Sequence, residues 1–124
     1  MLIIYSAICA LFLISTISST PSPRIVYSAI IYNAQDSPTD CNIIWSQPSD
    51  STLESGSFTI GRHEYYLVDE KEIEMDTWTA NAVIKQIRCG KLVLDAPFDK
   101  VTSPERKWKF RVESDKIVSV GPSS

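Results

Sequence analysis

Residues 107–113 read Lys-Trp-Lys-Phe-Arg-Val-Glu (KWKFRVE). Trp108, Phe110 and Val112 alternate with Lys107, Lys109, Arg111 and Glu113, the period-two pattern of a strand with one buried and one wet face. Ser114-Asp115 follows, and then Ile117 to Val120 supplies a second apolar run. The pair predicts a tight hairpin that ends the domain. Just upstream, Ser103-Pro104-Glu105-Arg106 carries the one helical signal, a Ser N-cap with Pro at the first position, suited to a single turn.

Further back, the chain alternates short β-prone runs with polar connections. Ile25 to Tyr32 (IVYSAIIY) places Ile25, Tyr27, Ala29 and Ile31 on one face and Val26, Ser28, Ile30 and Tyr32 on the other. Both faces are largely apolar, which predicts a strand covered on two sides, or one whose outer face meets something else. Asn33 to Asp40 reads as a loop, Cys41 to Trp45 as a short strand and Ser46 to Gly56 as a long polar connection. Ser57–Ile60 and Glu64–Val68 flank the turn Gly61-Arg62. Glu70–Asp76, Trp78–Cys89 and Leu92–Ala96 complete the series, and no stretch of ten residues holds a 3.6 period.

About seven or eight short strands without a helix predict an all-β fold, a small antiparallel β-sandwich that is immunoglobulin-like in the broad sense. The spacing departs from true immunoglobulin domains. Cys41 to Cys89 is short, Trp45 follows the first Cys by only four residues, and Ile87 stands where a tyrosine corner would put Tyr. An unclassified sandwich remains, with Ile31, Ile43, Trp45, Phe58, Leu67, Trp78, Ala82, Ile84, Leu92, Leu94, Trp108, Phe110 and Val112 as its expected core.

The N-terminal run Leu2 to Ile17 (LIIYSAICALFLISTI) has no charged side chain. It is shorter than the roughly 20 residues a membrane-crossing helix needs. Followed by Ser18, Ser19 and Thr20, with Thr16 and Ser18 as the small −3 and −1 residues, it reads as a secretory signal peptide over residues 1–19, leaving a single secreted domain over 20–124. An uncleaved anchor is the competing reading. Cys9 falls in the signal, so Cys41 and Cys89 are the only pair left for an extracellular disulfide.

Composition narrows the function classes. The 124 residues carry 12 Lys+Arg and 15 Asp+Glu, a net charge of −3, which disfavours a nucleic-acid partner. A 44% apolar content is too high for a disordered chain. His63 is the single histidine and lies beside an apparent turn, so it reads as an exposed turn residue. No nucleophile motif, paired zinc ligands or EF-hand spacing occurs, and neither a catalytic residue, a metal nor a cofactor is assigned.

Two surface candidates stand out. Glu70, Glu72, Glu74 and Asp76 would project from one face of a strand as a solvated acidic face, opposite in sign to the basic comb Lys107, Lys109 and Arg111. Tyr32 shares an outer apolar face with Val26 and Ile30. Tyr65 and Tyr66, being adjacent in a strand, must point to opposite faces, so one is expected at the surface. Exposed rings of this kind bind partner proteins or sugars. The chain therefore reads as a secreted, non-catalytic binding module that engages a protein partner. It would do so through the outer face of residues 26–32 or by strand addition at a sheet edge. A carbohydrate-binding module using exposed Tyr and Trp rings is the alternative, and a small secreted hydrolase using Asp and Glu is a third class.

Overall fold

The alternation at 107–113 folds as expected: Trp108, Phe110 and Val112 are buried and Lys109 and Arg111 face outward. The structure is a computed structural model that describes residues 22–49 and 51–123, so the expected signal over 1–19 lies outside the described residues. Among the described residues eleven strands form and no helix does. They are β1 (Ala29–Asn33), β2 (Thr39–Ser46), β3 (Thr52–Glu54), β4 (Phe58–Ile60), β5 (Tyr65–Val68), β6 (Glu72–Glu74), β7 (Thr79–Asn81), β8 (Val83–Cys89), β9 (Leu92–Asp95), β10 (Trp108–Val112) and β11 (Ile117–Gly121).

Two sheets enclose one core. The first has the order β11-β10-β1-β5; the second has the order β3-β2-β8-β9, with β4 also pairing with β2. β6 and β7 form a separate hairpin whose Ile73 packs against the core. Every pairing is antiparallel except β1 with β10, which run parallel in the register Ala29↔Trp108 to Asn33↔Val112. Parallel neighbours cannot be joined by a hairpin. The whole second sheet lies in the connection between them.

The core combines residues from both layers, including Ala29, Ile31, Phe110 and Val112 from the first sheet and Ile43, Trp45, Ile84 and Ile87 from the second. Phe98 and Val101, from the connection after β9, are fully buried, and Phe98 meets Phe110 edge-on with centroids 4.9 Å apart. Each such side chain contributes roughly 1.5–3 kcal/mol by leaving water.

Several sequence expectations change here. Leu67 and Trp78 are not core residues: Leu67 is 47% exposed and Trp78 56% exposed. Leu67 faces outward because it lies opposite Ile30 on the outer side of β1, and Trp78 sits in the turn between β6 and β7. The stretch 78–89 is two strands, interrupted at the buried Ala82. A register shift between Ile44 and Trp45 leaves Lys85 unmatched on β8, so Ile84 and Ile87, three residues apart, both face the core. Ser103–Arg106 makes no helical turn. Instead Glu105 donates to the Ile25 carbonyl at 3.0 Å and accepts from the Tyr27 N–H at 2.9 Å, extending the parallel ladder below β1 and β10.

The disulfide forms between Cys41 and Cys89. The two residues lie directly opposite each other on β2 and β8, so the bond staples neighbouring strands of one sheet, not one sheet to the other.

Candidate functional site

Strand parity builds the outer face of the first sheet. Because β1, β10 and β11 bury alternate residues, their other residues form rows across the sheet, which the register continues onto β5, where Val68 alone is buried. One row runs Val118, Arg111, Tyr32, Tyr65, and the next contains Lys109, Ile30 and Leu67, with Val120 near the bulge between β10 and β11. No other described strand covers this face. The 25–32 stretch does not keep one phase: Val26, expected on the outer face with Ile30 and Tyr32, is fully buried in the core and Ser28 is buried beside Ala29, so only Ile30 and Tyr32 of β1 reach the outer face.

Tyr32 and Tyr65 lean on each other with ring centroids 4.7 Å apart and planes inclined at 42°. Tyr65 is 65% exposed and Tyr32 half-buried, and with Lys109, Arg111 and Val120 they line a shallow depression of about 280 Å³. Arg111 Nε donates to Glu113 Oε2 at 2.8 Å, so its charge is partly answered within the strand. Lys109 forms no ion pair among the described residues. The face is thus aliphatic and aromatic with a cation at its centre.

Tyr66 has a different task. Its ring points to the inner side of β5 and stacks on Phe58 of β4, centroids 4.1 Å apart and planes inclined by 12°. This stack spans the two sheets where their edges stand apart. Beside it lies a cleft of about 460 Å³ between β5 and the β3–β4 edge, lined by Leu53, Phe58, Tyr66 and Leu67 together with Glu54, Asp69, Glu70 and Lys71. The cleft joins residues from separate strands and had no signature in any single stretch.

Glu70, Glu72, Glu74 and Asp76 are all exposed, with Ile73 and Met75 half-buried between them. Only Glu72 and Glu74 lie in β6, paired opposite Asn81 and Thr79, while Glu70 and Asp76 fall outside the strand. Glu70 turns toward Arg106 in an ion pair, and the Arg106 guanidinium also sits 4.8 Å from the centre of the Tyr27 ring. No cluster of three metal-ligating side chains exists among the described residues. The basic comb also loses a tooth, since Lys107 precedes β10 in a left-handed conformation with φ 55°.

His63 is a turn residue, as its neighbours Gly61 and Arg62 suggest. It has φ 56° and is exposed, with Nε2 3.3 Å from Asp36 Oδ1. Compared with known proteins, the chain matches no family, no curated protein and no solved structure at a significant level.

Proposed function

We propose that this chain is a secreted, non-catalytic binding module that engages a protein partner through the outer face of its four-stranded sheet. The observation that carries the reading is the Tyr32–Tyr65 pair, half-buried and exposed respectively, flanked by Ile30 and Leu67 beside Lys109, which forms no ion pair among the described residues. Rigid rings lose little entropy on contact, and buried aromatic anchors dominate the energetics of most protein interfaces. Lys109 adds a preference for a partner with a carboxylate opposite it.

Secretion is supported by the Cys41–Cys89 disulfide, which is compatible with an oxidising compartment, and by the apolar run at 2–17. A carbohydrate partner is less well supported, because the 42° inclination of the two tyrosines gives no flat surface on which a sugar ring could lie. The test is capture of secreted and cell-surface proteins on the immobilised mature domain. A specific partner lost with Tyr65→Ala and Lys109→Glu, and kept with Trp78→Ala, supports the reading. Glycan-array binding in place of protein capture, or capture indifferent to all three substitutions, overturns it.

A further inference from the structure

The two sides of the sandwich are unlike. On one, β11 packs beside β9 and the sheets close on each other. On the other, β5 and the β3–β4 edge leave the cleft between them, crossed by the Phe58–Tyr66 stack. β1 is the only described strand that pairs with β5, so one side of β5 carries unpaired backbone groups.

The register says which groups these are. Asn33 N–H donates to the Glu64 carbonyl at 3.0 Å, and antiparallel ladders alternate bonded and non-bonded pairs. Tyr66 and Val68 therefore exchange bonds with Ile31 and Ala29, while the N–H and C=O groups of Tyr65 and Leu67 face away from β1. Edge strands are usually blunted by a lysine, a proline or a bulge. The Tyr65-Tyr66-Leu67-Val68 strand has none of these.

Deepening the protein-partner reading, on which it rests, we propose that β5 takes an extended segment of the partner as an added antiparallel strand, with a cationic side chain in the cleft. A row of backbone donors and acceptors is matched by another extended chain and not by a sugar. The charge of the cleft selects the cation: Glu54, Asp69 and Glu70 line it against Lys71 alone, and of the three only Glu70 is neutralised by a cation, Arg106, while Glu54 accepts a neutral hydrogen bond from Asn42 Nδ2 at 3.3 Å. In the added ladder, the residue opposite Tyr66 points into the cleft beside Phe58 and Glu54. Its two neighbours lie opposite Tyr65 and Leu67 and form the hydrogen bonds.

That geometry specifies the probe: an acetylated, amidated serine-valine-lysine-valine-serine peptide, titrated into the isotope-labelled, disulfide-intact domain. Expected are shifts and slowed exchange at the Tyr65 and Leu67 amides, with loss of binding when both valines are N-methylated. Replacing the central lysine with glutamate should weaken binding about tenfold. Leu67→Pro removes an outward N–H without touching the β1 ladder, so it should abolish binding while the fold persists; if that variant does not fold, the N-methylated peptide decides alone. Equal binding by the N-methylated peptide, shifts confined to other surfaces, or no binding at millimolar peptide overturns the proposal. Dimerisation through β5, seen by sedimentation and removed by Leu67→Pro, overturns it in favour of a second copy. Natural-partner capture that survives Leu67→Pro but not Tyr65→Ala removes strand addition and keeps the outer-face reading. Capture indifferent to both substitutions removes that reading as well.

Discussion

Asn33 Nδ2 donates to the Ile60 carbonyl at 3.0 Å, tying the last residue of β1 in one sheet to the last residue of β4 in the other. The same amide donates to the Ser37 carbonyl at 2.9 Å and the Gly61 carbonyl at 3.2 Å, and its Oδ1 accepts from the Gln35 N–H at 3.0 Å. Asn33 is 0% exposed and its bond to Ile60 is buried, so no water replaces that bond if the side chain is changed. Asn33→Leu fills the space but strands the buried Ile60 carbonyl and unties the part-buried Ser37 and Gly61 carbonyls and the Gln35 N–H, at a cost of about 2–4 kcal/mol. Urea unfolding should show a lowered midpoint with an unchanged slope, whereas a cost below about 0.5 kcal/mol would mean that the polar knot contributes nothing.

Asn33 also shows where sequence reasoning stops. Asparagine favours turns, and the residue reads as the start of a loop, although its backbone ends β1 and its side chain lies in the interior. Strand parity was legible wherever one face is buried and no bulge intervenes. It correctly separates Trp108 from Lys109, whereas at the sheet edge Tyr65 and Tyr66 both reach solvent although their rings lie on opposite sides of β5. It fails in β8, where the unmatched Lys85 resets the phase, and at Trp78, where an apolar residue in a hairpin turn has nothing above it. Tyr32 and Tyr65 were visible as members of a surface. Their meeting was not, because it depends on β1 pairing with β5 across a long turn. The cleft beside Phe58 was invisible for the same reason.

Trp108 and Ser119 form a second buried polar pair. The indole Nε1–H donates to Ser119 Oγ at 2.8 Å, and that hydroxyl donates to the Asp99 carbonyl at 2.6 Å. Ser119→Ala leaves the indole N–H without a partner and should cost about 1–3 kcal/mol. Trp108→Phe removes the donor as well, so the double variant should be less destabilised than the sum of the single ones. A double-mutant cycle by chemical denaturation measures this coupling, and strict additivity would contradict the pairing.

Trp78 is 56% exposed, while Trp45 and Trp108 are each 3% exposed. Iodide should therefore quench one tryptophan component in the native protein, and Trp78→Phe should remove it. The stability change should stay within about 0.5 kcal/mol, as for other surface substitutions. Trp45→Ala, by contrast, opens a core cavity and should cost about 3–5 kcal/mol. Two quenchable components in the native state would place a second indole in water and break the core assignment.

The disulfide joins Cys41 and Cys89, 48 residues apart in sequence and opposite each other on β2 and β8. Its closure restricts the unfolded chain, and the chain-entropy model assigns about 4 kcal/mol to a loop of this length. Because both cysteines belong to one sheet, removing the bond separates no layers: the β2–β8 ladder and the shared core remain to hold the strands in register. The Cys41→Ala/Cys89→Ala variant should keep its β-sheet circular dichroism and the shielding of Trp45 in the absence of denaturant. Its unfolding midpoint should fall, and most of the free-energy loss should appear as easier unfolding by urea. If the variant instead loses tertiary structure at zero denaturant, the sulfur bridge holds the sheets together and is not merely a clamp within one of them.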